Sequence, residues 1–137
     1  MMSEPISVSV EINASIERVW QLWTTPEDIK HWNNVSDKWY TPTVENDVSP
    51  GGRFLFTMGL KDGSFMFDHT GTYDEVIPHQ LITYTLDEGR KSTIAFEAGD
   101  MVKITETFEP NDTDPVAMQR DFCRAVLESF KKYVESN

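Results

Sequence analysis

Residues 116–135 read VAMQRDFCRAVLESFKKYVE, an uninterrupted helical pattern in a chain otherwise made of short alternating segments and turns. The spacing predicts a helix from Pro115 to Val134. At 1.5 Å per residue it is about 30 Å long, enough to cross a small domain. Asp112 and Asp114 before Pro115 predict a carboxylate cap with proline at the first helical position, and negative charge suits that end of the dipole. Met118, Phe122, Cys123, Val126, Leu127, Phe130 and Val134 recur at three- and four-residue steps and form one apolar stripe. Arg120, Arg124, Glu128, Lys131 and Lys132 fall mostly outside it, so one face is buried. Glu128 ahead of Lys132 adds a favourable surface pair.

Upstream, Ile6, Val8, Val10 and Ile12 alternate with Ser7, Ser9, Glu11 and Asn13, the period of a half-buried strand. Ser15 then caps a helix carrying Ile16, Val19, Trp20 and Trp23 on one face. Thr25-Pro26-Glu27 starts a second short helix with Ile29 and Trp32. Trp32 and Trp39 flank a polar loop, NNVSDK.

After the turn Ser49-Pro50-Gly51-Gly52, Phe54, Phe56, Met58 and Leu60 share one face of a strand. Phe65, Phe67, His69, Gly71 and Tyr73 share a face of the next. A hairpin loop Lys61–Ser64 pairs Met58 with Phe67, Phe56 with His69 and Phe54 with Gly71, so the apolar faces coincide. Gly71 in mid-strand suggests a bend or bulge. For Leu81–Asp87, a three-residue loop opposes Tyr73 with Thr85, whereas apolar content favours Ile82, Tyr84 and Leu86 as the buried set. A bulge near Glu75 reconciles the two, and the sequence leaves the choice open. Ser92–Glu97 and Met101–Glu109 form a last hairpin around Ala98-Gly99-Asp100, placing Phe96 by Val102, Ile94 by Ile104 and Ser92 by Glu106. Six or seven strands, mostly antiparallel, and three helices define an α+β fold: a curved sheet wrapped around the long C-terminal helix.

A length of 137 residues fits one domain spanning 1–137, with no linker or repeat. The 12 basic and 23 acidic residues give a formal charge of -11, which repels phosphate backbones and anionic membranes; nucleic acid and membrane are not expected partners. Solubility accounts for the acidity, with a basic protein partner as the alternative. The single Cys123 excludes an intramolecular disulfide and reads as a small core residue. MMSEPIS has no signal-peptide pattern, and a reducing, cytoplasmic setting is expected. No apolar run approaches the roughly 20 residues of a spanning helix.

The ordered landmarks SVEINASIERVWQLWTTPEDIKHWN, SPGGRF, HTGTYDEVIPHQLITYT and the closing LESFKKYVE resemble the START-like (SRPBCC) superfamily with its helix-grip fold. Within it they resemble the branch named after the activator of the heat-shock protein 90 ATPase, from about Ile6 to Glu135. The resemblance implies a hydrophobic cavity between the long helix and the sheet, lined by Phe56, Phe67, His69, Phe122, Val126 and Phe130. Trp32, Phe54, Met58, Tyr73, Phe96 and Glu106 complete the candidate cavity set. Many relatives carry a tryptophan near the position of Cys123, whose absence here implies a reshaped cavity.

His31, His69 and His79 are too scattered for a metal site, and no metal or cofactor is expected. GLKDG and PGGR fit neither a dinucleotide fingerprint nor a phosphate loop, and no GxSxG is present. His69 and Glu106 stand out as polar residues on apolar strand faces. The plain alternatives are a histidine bonded to backbone or water, and a solvated glutamate near a sheet end beside Ser92. The expected function is binding of a hydrophobic or aromatic small molecule, oriented by His69 and Glu106. A cyclase- or hydrolase-like enzyme using either residue as base, and a co-chaperone-like module meeting a chaperone through its acidic surface, are the alternatives.

Overall fold

The computed structural model describes residues 4–137. The elements run β1 (Ile6–Ile12), α1 (Ile16–Thr24), α2 (Pro26–Trp32), β2 (Trp39–Asn46), β3 (Arg53–Leu60), β4 (Met66–Ile77), β5 (Leu81–Leu86), β6 (Lys91–Glu97), β7 (Val102–Phe108) and α3 (Val116–Glu135). All strand pairs are antiparallel in one sheet of order β1-β7-β6-β5-β4-β3-β2. Strands β2 to β7 form a meander, and β1 closes onto β7 at the far edge. The sheet curls as a half-barrel around α3.

The strict alternation of β1 buries Ile6, Val8, Val10 and Ile12 and exposes the residues between them. In α1, Ser15 Oγ accepts from Arg18 N at 3.2 Å, the expected cap. Thr25 starts α2, with Pro26 at its first position and Ile29 and Trp32 buried. The β3–β4 register is the one the apolar faces require: Met58 opposite Phe67, Phe56 opposite His69, Phe54 opposite Gly71. The open choice on β5 is settled by a bulge at Asp74. Ile77 opposes Leu81 and Glu75 opposes Thr83, yet Tyr73 opposes Tyr84, so Ile82, Tyr84 and Leu86 are all buried.

Four expectations are corrected. Strand β2 has no counterpart in the sequence reading: Pro42 breaks its alternation, and the register shifts between Tyr40 and Thr43. An edge strand tolerates this because one side needs no ladder bonds. Gly71 holds regular register and is not the bulge. A Cβ there would stand 2.8 Å from the Phe54 ring and 2.7 Å from the Thr85 carbonyl oxygen, so its bareness makes room for Phe54. The β6–β7 hairpin is two residues out from the expected pairing, with Phe96 opposite Ile104, Ile94 opposite Glu106 and Ser92 opposite Phe108. On the β6 side the last pair is Glu97 with Lys103, leaving residues 98–102 as the loop; the even shift keeps the apolar faces together.

The last correction concerns the start of α3. Pro115 is the cap position itself, and neither Asp112 nor Asp114 caps the helix with its side chain. Asn111 organises the turn instead: its Oδ1 accepts from Thr113 N (3.1 Å) and Asp114 N (2.9 Å). Gln119 folds back, donating Nε2 to the Asp114 carbonyl at 2.9 Å and accepting from Asn111 N at 2.9 Å.

The far end of α3 is tied down by polar contacts. Tyr133 Oη donates to Asp28 Oδ1 at 2.6 Å, Asn13 N donates to Glu135 Oε2 at 2.9 Å, and Lys131 Nζ donates to the Glu11 carbonyl at 2.6 Å. Cys123, Leu127, Phe130 and Val134 are buried on this helix, while Met118 and Phe122 are exposed. The closed core lies under its C-terminal half, where α3 packs on β1, α1 and α2.

Candidate functional site

Under the N-terminal half of α3 the sheet and helix stand apart, leaving a cavity of about 580 Å³. That size falls within the usual range for small-molecule sites. The strands supply its floor through their inward-facing residues: Phe54, Phe56 and Met58 from β3; Phe67, His69 and Tyr73 from β4; Ile82, Tyr84 and Leu86 from β5; Ser92 and Ile94 from β6; Glu106 and Phe108 from β7. Met118, Gln119, Phe122, Cys123 and Val126 of α3 form the opposite wall. Trp23, Trp32 and Asn33 close the end nearest the core, with Trp32 Nε1 donating to the Leu22 carbonyl at 2.9 Å. Trp39, Phe65 and Phe67 stand with Phe122 at the other end. Trp39 lies 6.1, 6.5 and 6.2 Å from the Phe65, Phe67 and Phe122 rings. Phe65 is 51% exposed and Phe122 37%, marking this end as the mouth.

Of the residues expected to face a cavity, Trp32, Phe54, Phe56, Met58, Phe67, His69, Tyr73, Glu106, Phe122 and Val126 line this one. Phe96 and Phe130 do not. Phe130 is wholly buried against the stacked Trp23 and Trp32, with ring centroids 4.9 and 4.8 Å away. Phe96 packs on Trp20 and Trp23 at 5.2 and 5.9 Å. Both belong to the closed core because α1 and α2 fill the space beneath them. Tyr84, Arg90, Ser92 and Cys123 line the cavity without having been expected there. Tyr84 and Ser92 do lie on the predicted inward faces, and Cys123 lies on the helix stripe; what was missing was the sheet curvature that aims them at one space.

A line of polar groups crosses this apolar floor: His69 on β4, Tyr84 on β5, Ser92 on β6 and Glu106 on β7, with Cys123 above the last. His69 sits among the rings of Phe54, Phe56 and Tyr84 at 5.5, 6.2 and 6.3 Å. Burial holds its pKa down at about 4, and the positive charge of Arg90 acts in the same direction, so the imidazole is neutral at pH 7. Its side chain makes no hydrogen bond to protein among the described residues, so of the plain alternatives, backbone or water, the backbone bond is not formed.

The two-residue shift of the last hairpin carries Glu106 inward, between Val8 of β1 and Ile94 of β6, both buried. Glu106 itself is half-buried on the cavity floor and does not sit at a sheet end. Burial raises its pKa to about 7, and a hydrogen bond with Cys123 pulls weakly the other way. Burial likewise pushes the Cys123 thiol above its ordinary range, aided by the charge of Glu106, so it is a poor nucleophile. Burial is also the main cause holding the Tyr84 phenol up, while its hydrogen bond with Ser92 opposes. Among the described residues no three His, Cys, Asp or Glu side chains stand close enough to hold a metal, and no helix is long and apolar enough to cross a membrane.

A seven-stranded antiparallel sheet gripping a long C-terminal helix, with two short helices after the first strand, defines a START-like domain of the helix-grip type. Residues 13–135 match the family described as Activator of Hsp90 ATPase homolog 1-like protein, and the chain belongs to that family. It is similar to the solution structure of an AHSA1-like protein from Aeromonas hydrophila, with 34% identity, a TM-score of 0.90 and coverage of 96% of this chain and 92% of that one. A solution structure from Cytophaga hutchinsonii is 43% identical with a TM-score of 0.85, covering 98% and 94% of the two chains. The Aha1 dimer from Colwellia psychrerythraea shares the fold at 17% identity and a TM-score of 0.76, covering 97% of each chain. No curated protein matches the chain.

Proposed function

We propose that this chain is a single binding domain that holds a hydrophobic or aromatic small molecule in the cavity beneath α3 without altering it. The observation that carries the reading is the pairing of a roomy, mainly apolar space with a few polar groups gathered on one side of it. Apolar walls supply affinity by removing ligand surface from water, and His69, Tyr84 and Glu106 supply orientation. A cytoplasmic setting, in which the lone Cys123 stays reduced, goes with this reading. A chaperone contact ranks second: the family description suggests it, while the acidic surface alone does not specify such a partner.

The test is a filled cavity. Val126→Trp places an indole into the space from the helix wall, where there is volume to receive it. Thermal shift with apolar compounds should raise the melting temperature of the wild type by mass action and leave the variant unmoved. Equal responses in the two proteins would reject the cavity as the site.

A further inference from the structure

Hydrogen-bonding capacity inside the cavity is unevenly used. Tyr84 and Ser92 face each other across β5 and β6. Arg90 donates Nε to Glu88 and Nη1 to the Glu109 carbonyl at 3.5 Å, so two of its donors are already used, while its positive charge still acts on His69. Glu106 has only the Cys123 thiol, a weak donor, beside it, although a carboxylate has about four acceptor positions. The largest unfilled capacity is thus for a donor.

Charge and ring geometry point the same way. An anionic ligand group beside Glu106 would meet a carboxyl in apolar surroundings, with Asp114 as a further carboxylate on the lining, and would raise the cost of ionising Glu106. A cation reverses each of these terms. Aromatic faces from Phe54, Phe56 and Tyr84 attract a positive group across the floor, and a formal charge of -11 draws cations toward the molecule.

Building on the reading that the cavity holds a small molecule, we infer that its ligand class is an apolar or aromatic amine, bound in protonated form with the ammonium group on Glu106 and the hydrocarbon body lying toward Phe56 and Phe122. The neutral His69 offers a second acceptor on the same floor. No bond is made or broken, and the ligand leaves as it entered.

Three probes with one frame test this: naphthylethylamine, ethylnaphthalene and naphthylacetate, titrated by NMR near neutral pH into the wild type and Glu106→Gln. The amine should bind the wild type about tenfold or more tighter than ethylnaphthalene, as a charge-assisted hydrogen bond allows, and naphthylacetate should bind more weakly than either. In Glu106→Gln the amine should lose its advantage and match ethylnaphthalene, the two being compared within the variant. Naphthylacetate matching or exceeding the amine in the wild type overturns the amine assignment, as does an amine preference that survives Glu106→Gln, while ethylnaphthalene binding keeps the cavity reading standing. Failure of all three to bind the wild type overturns both. The ranking in the wild type alone decides the matter should the variant not fold.

Discussion

Replacing Glu106 with glutamine removes a carboxyl that the fold holds at about 7 against an ordinary 4.5. Between those values the unfolded chain has lost the proton and the folded chain still binds it, so rising pH favours unfolding. The contribution of this group to stability is complete below 4.5 and is lost as pH climbs through about 7. At about 1.4 kcal/mol per pH unit, the gap between the two values comes to about 3 kcal/mol. His69 acts in the opposite sense. It is held at about 4 against 6.5, so its contribution is complete above 6.5 and lost as pH falls toward about 4, again by about 3 kcal/mol. The two windows overlap, and in the wild type the two slopes largely offset one another. Urea denaturation of the wild type and Glu106→Gln across this pH range separates them. The variant should gain on the wild type by about 3 kcal/mol between the acid end and pH 8, with most of the change between 4.5 and 7. A stability difference between the two proteins that stays constant with pH would refute the buried, proton-holding Glu106.

Gly71→Ala should destabilise by about 1–3 kcal/mol in the same assay, because the added methyl meets the Phe54 ring and the Thr85 carbonyl at under 3 Å. Tyr133 is held up at about 12, chiefly by its hydrogen bond to Asp28; Asp28→Asn should return it toward 10.0 in an alkaline absorbance titration and cost about 1 kcal/mol of stability. Cys123 is buried with its thiol held above the ordinary range, so alkylation by iodoacetamide near pH 8 should be slow in the folded protein and speed up sharply in urea.

The β3–β4 pairing was legible in the sequence because its alternation is strict on both strands and a four-residue turn aligns the apolar faces where a three-residue one would set Phe56 against Asp68. The last hairpin was not fixed in the same way. A shift of two residues preserves every face, so periodicity cannot tell Ile94–Ile104 from Ile94–Glu106. The observed pairing sets Glu106 opposite Ile94 instead of Ser92, on the same inward face. β2 escaped notice because Pro42 interrupts its pattern, and an edge strand has few apolar contacts to advertise it. Most of the cavity wall followed from the inward faces and the helix stripe. Phe96 and Phe130 share the periodicity of the wall residues, and only the placement of α1 and α2 separates filled space from open space.

The fastening of α3 at one end makes it a cantilever. Its fixed end carries Leu127, Phe130 and Val134 in the core and the ties through Tyr133 and Glu135; Met118 overhangs the open space roughly 18 Å from Phe130 at 1.5 Å per residue. In such a beam a tilt of only about five degrees at the support moves the overhanging tip by about 1.5 Å, about the length of one carbon–carbon bond. Load and reach are thereby assigned to different residues. Substitutions at Met118, Phe122 or Val126 retune what the space accepts at little expense to the core, whereas the same changes at Leu127 or Phe130 weaken the support that sets the height of the roof.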